Sequence, residues 1–141
     1  MEMARQNPLF GVGLERYTQE YDNYDYSQGR YGQYRAVHNL FFSVLAETGW
    51  IGSGVFLTIL LLCFLAQFRA YRYARQLTNR EARGELMDYA NMAAIALISF
   101  LVASCFLTTL FQEILWGLVS ISIGLELLAK RMVQIERGEQ L

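Results

Sequence analysis

Residues 48–68, TGWIGSGVFLTILLLCFLAQF, carry no charged side chain. A second uncharged run, YANMAAIALISFLVASCFLTTLFQ, occupies residues 89–112. Each is longer than the roughly 18 apolar residues a helix needs to cross a hydrocarbon core of about 30 Å. A soluble domain of 141 residues is possible on length alone. The two runs rule that out and point to an all-α, polytopic membrane protein.

Between the runs lie Arg69, Arg72, Arg75, Arg80 and Arg83, set against Glu81, Glu85 and Asp88. Arginine-rich loops stay on the cytoplasmic side, so residues 69–88 are expected there, between a first span at 50–68 and a second at about 91–110. Residues 108–113, Thr-Thr-Leu-Phe-Gln-Glu, hold no Lys or Arg and form the outer turn. A third span runs from about 114 to 129; its length of roughly 24 Å at 1.5 Å per residue suits a thin or snorkelling helix. Glu113 and Trp116 then sit at headgroup level, and Glu126 snorkels beside Lys130. Lys130 and Arg131 anchor the cytoplasmic C-terminus.

Residues 1–48 are thereby extracytoplasmic, and 49–141 form a transmembrane region of three spans. Asn7-Pro8-Leu9-Phe10-Gly11-Val12-Gly13 mixes Pro and Gly with apolar residues, the pattern of an irregular segment. Residues 15–35 contain no aliphatic side chain and six tyrosines (17, 21, 24, 26, 31, 34), which predicts a long polar loop. Apolar residues at 37, 40, 41, 44 and 45 then predict a short amphipathic helix over 39–48, lying on the membrane surface. Trp50 suits the interface. No signal peptide is visible in the first residues, so an outward N-terminal loop implies spans preceding it, and the chain is expected to be the C-terminal piece of a longer protein.

Several classes drop out. A net charge of −1 gives no basic surface for nucleic acid. Cys63 and Cys105 lie inside apolar runs, where a thiol acts as a small apolar group. Asp22 and Asp25 have no histidine near them, and no metal or other cofactor is expected.

The single histidine, His38, stands where the polar loop meets the amphipathic helix. An imidazole titrating near neutrality can accept a proton from a hydroxyl, although a lone interfacial His also commonly binds a carbonyl. From His38-Asn39 the chain continues through residues 40–48 to Gly49, and through two more residues to Gly52. This arrangement, with residues 7–13 upstream and Leu45-Ala46-Glu47-Thr48-Gly49 within it, resembles the O-antigen ligase family of bacterial membrane glycosyltransferases, including its O-glycosylation ligase branch. The resemblance covers about residues 5–70 and continues beyond them in hydropathy.

The resemblance implies an inner-membrane enzyme with a periplasmic His loop. Such an enzyme takes a glycan from an undecaprenyl-diphosphate-linked donor and passes it to a hydroxyl acceptor, the lipid A core or a protein. An O-antigen polymerase is the alternative within the family. It further implies that the missing N-terminal transmembrane helices are a partner, and that this piece alone is inactive. His38 becomes the catalytic residue. Arg30 and Arg35 become candidate diphosphate contacts through their forked donors, and Asn39 and Glu47 candidate substrate contacts. Gly49 and Gly52 are structural positions that let backbones pack closely or hinge. Tyrosine rings in the loop could stack on sugars. From another class, the rival is a non-enzymatic three-span subunit or the inactive remnant of a split gene.

Overall fold

The computed structural model describes residues 2–27, 29, 30, 32, 37–106 and 112–138. Arg35 and most of the turn expected at 108–113 lie outside the described residues. The fold is all-α. Among the described residues the helices are α1 (Glu2–Gln6), α2 (Tyr17–Glu20) followed by a 3₁₀ turn (Tyr21–Tyr24), α3 (Leu40–Ala74), α4 (Arg80–Ser104) and α5 (Gln112–Glu136).

Two of these, Leu40–Ala74 and Arg80–Ser104, are long and apolar enough to cross a membrane. Along them Val55, Leu61, Ile95 and Val102 are each more than half exposed. Leaving side chains exposed to this degree in water forfeits about 1–2 kcal/mol apiece, which contact with lipid would restore. The helices outrun the uncharged stretches: α3 continues through Arg69 and Arg72, and α4 begins at Arg80. Arg and Glu are good helix formers, so charge marks a membrane boundary without ending a helix. The two helices are separated by residues 75–79. Asn79 opens α4, its Oδ1 accepting from the amides of Glu81 (3.0 Å) and Ala82 (3.3 Å).

The chain forms two compact units, one of residues 1–58 and 101–111, the other of residues 59–100 and 112–141. In the second, Ala70, Ala74, Leu77, Leu86, Ala90, Ala129 and Val133 make the buried core. Small residues dominate it, and they let helix backbones approach closely. Polar contacts tie α3 to α5: Gln67 donates to the Ser122 hydroxyl at 2.8 Å, and Arg69 meets Glu126 at 3.4 Å. Glu126 thus has Arg69 as its partner rather than the neighbouring Lys130. Glu136 at the end of α5 accepts from the amides of Thr78 (2.9 Å) and Asn79 (3.4 Å). The Thr78 amide is the main reason its carboxyl lies below the usual range.

In the first unit α3 is interrupted at one residue. Gly49 has φ 65° and ψ −163°, a conformation open essentially to glycine alone. A break of this kind leaves helix carbonyls and amides without their i, i+4 partners. Residues 8–13 supply them. Val12 and Gly13 donate to the carbonyls of Ala46 and Glu47, both at 2.9 Å, while the amides of Trp50 and Ile51 donate to the carbonyls of Pro8 (2.8 Å) and Leu9 (3.3 Å). The expected surface helix over 39–48 is therefore the first part of α3, set off from the rest by this break.

Candidate functional site: the His38 junction and the tyrosine cavity

Asn39 caps α3. Its Oδ1 accepts from the Phe42 amide at 3.1 Å and its carbonyl from Ser43 at 3.0 Å. Its Nδ2 donates to the Cys105 carbonyl, just past the end of α4, at 3.1 Å. One side chain thus satisfies an unmade bond at the start of one helix and another at the end of a second. His38 directly precedes this cap and is exposed. Its backbone is anchored through the neighbouring residue, and the residue itself is open to solvent.

Glu47 is 6% exposed. Its carboxylate accepts from the backbone amides of Glu15 (3.1 Å) and Tyr17 (3.3 Å). This fastens the start of the polar loop to α3 immediately before the break. A Cβ at Gly52 would collide with the Thr48 side chain, whose hydroxyl donates to the Val44 carbonyl at 2.7 Å. Gly49 and Gly52 are thus both positions where a side chain has no room.

The described part of the polar loop folds against α1 and the first turns of α3 around a cavity of about 550 Å³. Tyr17, Tyr21, Tyr24 and Tyr26 line it together with Glu2, Asp25 and Ser27, over a floor that includes Met3, Val37, Phe42 and Leu45. The size is that of an ordinary small-ligand site. Asp25 shapes one wall by accepting from the Ser27 amide (2.9 Å), the Ser27 hydroxyl (2.7 Å) and the Gly29 amide (3.0 Å). Asn7 donates to the Tyr24 phenol at 2.8 Å. The rings of Tyr17 and Tyr21 lie 6.3 Å apart, tilted by 42°. Burial, reinforced by Tyr21, pushes the Tyr17 phenol up. A hydrogen bond to Glu2 does the same for Tyr26, while Gln6 and then Tyr26 hold the Glu2 carboxyl below its usual range.

The sequence-expected residues therefore occupy different places. His38 and Asn39 follow Val37, which belongs to the cavity floor. Glu47 and Gly49 form the docking point of the N-terminal loop. Arg30 is exposed in the turn after Ser27, whose carbonyl accepts from the Arg30 amide at 3.1 Å, and it is not among the cavity residues. Arg35 lies outside the described residues. Glu2 and Asn7 were not singled out as site residues, and nothing local in the sequence marks them, since the fold alone brings them to Tyr26 and Tyr24.

Comparison with protein families gives a match to the O-Antigen ligase family over residues 1–57. That stretch contains the docked loop, the cavity, the His38-Asn39 cap and the break at Gly49. Comparisons with curated proteins and with solved structures give no match.

Proposed function

We propose, from the match of residues 1–57 to the O-antigen ligase family, that the chain serves a membrane glycosyltransferase that moves a glycan from undecaprenyl diphosphate to a hydroxyl acceptor. In the reaction, the acceptor hydroxyl attacks the anomeric carbon and the bond from that carbon to the diphosphate oxygen breaks. The hydroxyl proton passes to the His38 imidazole, and undecaprenyl diphosphate departs as the leaving group. General-base assistance of this kind contributes about 10²–10⁴-fold. Arg30 and Arg35 supply forked donors for the departing phosphates. The lipid A core and a protein side chain are the two acceptor classes in view.

The observation carrying this reading is the coincidence of the family match with the built junction: the matched segment holds the one histidine at a capped helix start beside a tyrosine-lined cavity. Asn39 and Glu47 are assigned to holding that junction in shape, because their polar atoms already engage Phe42, Cys105, Glu15 and Tyr17. The same reading puts residues 1–48 on the periplasmic face of the inner membrane. It makes 114–129 a third span and gives the loop between α3 and α4 to the cytoplasm.

The test is His38→Ala expressed from the native locus. Glycosylated acceptor is expected to disappear while the membrane level of the protein holds, since an exposed imidazole adds little to packing. Wild-type glycosylation in that strain overturns the role of His38.

A further inference from the structure

The cavity walls discriminate between the two ends of a lipid-linked glycan. They carry four phenols and the carboxylates of Glu2 and Asp25, with no lysine or arginine among the described lining residues. Arg5 meets Glu2 at 3.9 Å, but its side chain is 81% exposed and lies outside the cavity wall. A diphosphate in this space would face like charge and, among the described lining residues, no cationic donor. A sugar ring meets the opposite conditions, because its C–H face packs on aromatic rings and its hydroxyls find phenols and carboxylates.

The geometry points to a subsite for the unphosphorylated rings of the glycan, neutral or amine-bearing, with the diphosphate held elsewhere. This rests on the glycan-transfer reading above. Tyr24 is its polar anchor: the phenol oxygen accepts from Asn7 at 2.8 Å, which leaves the hydroxyl proton to donate to a sugar oxygen. The tilted pair Tyr17 and Tyr21 offers the aromatic surface. Asp25, held by Ser27 and Gly29, fixes a negative charge at the wall that favours an amino sugar over an acidic one.

The experiment uses the full chain in detergent, with binding followed by saturation-transfer NMR. The probes are N,N′-diacetylchitobiose, its deacetylated diamine, and inorganic diphosphate as competitor. Both saccharides are expected to bind saturably, the diamine more tightly, and excess diphosphate is expected to displace neither. Tyr24→Phe keeps the ring and removes the donor, so it should weaken both saccharides about three- to tenfold. Tyr21→Ala should weaken them comparably through lost stacking, with circular dichroism confirming that its helix content is intact. The proposal is overturned if neither saccharide binds, if diphosphate displaces them, or if a folded Tyr24→Phe protein binds as wild type. Loss of transfer in His38→Ala with Tyr24→Phe silent removes the subsite and keeps the transferase. Saccharide binding that Tyr24→Phe weakens, with His38 dispensable for transfer, keeps the subsite and removes the assigned mechanism.

Discussion

Gly49 and Gly11 meet backbone to backbone: a Cβ on Gly49 would lie 2.7 Å from the Gly11 nitrogen, and one on Gly11 would strike the Glu47 carbonyl carbon. Both have positive φ, 65° and 67°. Gly49→Ala therefore combines a conformation that costs a side chain about 1–3 kcal/mol with a steric collision that can only be relieved by undocking residues 8–13. The thermal midpoint of the purified protein is expected to fall clearly for Gly49→Ala and for Gly11→Ala. Gly29→Ala, with nothing within 4 Å of its added Cβ, should lose only the smaller backbone term. Equal midpoints for all three would show that the docking contributes nothing.

Glu47 should behave as a fastener of the loop. Replacing it with Ala strands two backbone amides, each at about 1–3 kcal/mol if they find no water, whereas Gln retains one acceptor oxygen. Trypsin is expected to cleave after the exposed Arg16 faster in Glu47→Ala than in Glu47→Gln, and faster in both than in the wild type. Unchanged cleavage in Glu47→Ala would return this carboxylate to the list of substrate contacts.

The Glu136 contact predicts an acid response with a definite sign. Its carboxyl titrates below the ordinary glutamate value because the folded state supplies the Thr78 and Asn79 amides. Its stabilising contribution is therefore present above the unfolded value and is lost as pH falls through the folded one. Hydrogen exchange at Thr78 and Asn79 should accelerate in acid relative to Glu136→Gln measured at the same pH. At neutral pH the wild type should be the better protected of the two. Identical protection at every pH would rule the contact out.

Orientation can be read with thiol labels in a background of Cys63→Ala and Cys105→Ala. Asn23→Cys is expected to react with a membrane-impermeant maleimide in intact spheroplasts, and Gln76→Cys only after lysis, as the arginines around Gln76 require. The reverse pattern would invert the topology and remove His38 from the periplasm.

The helical class and the two apolar runs were plain in the sequence because hydropathy is written residue by residue. Helix limits were not, since Arg69, Arg72, Glu81 and Glu85 favour helix as much as their apolar neighbours do. The docking of residues 8–13 left only its glycines as a trace, because backbone bonds to Ala46, Glu47, Trp50 and Ile51 need no particular side chain. Near a lone histidine, Asn39 and Glu47 look like groups meant for a substrate. The Asn39 bond to Phe42 is a local helix cap, but the bond of Asn39 to Cys105 and those of Glu47 to Glu15 and Tyr17 depend on long-range proximity, which local spacing does not carry. The tyrosine-rich composition of residues 15–35 did announce an aromatic surface, but Asn7 and Glu2 join it only through the fold.

The break at Gly49 also constrains the order in which the chain can assemble. Residues 8–13 bond to groups as far along as Ile51, so the segment made first must await a partner made later. At about 5–20 residues per second, synthesis separates the two by roughly 2–8 seconds. Throughout that interval the Pro8 and Leu9 carbonyls and the Val12 and Gly13 amides must be satisfied by water or by a chaperone. The docking of residues 8–13 is thus completed only once Trp50 and Ile51, at the start of the first apolar run, have been made.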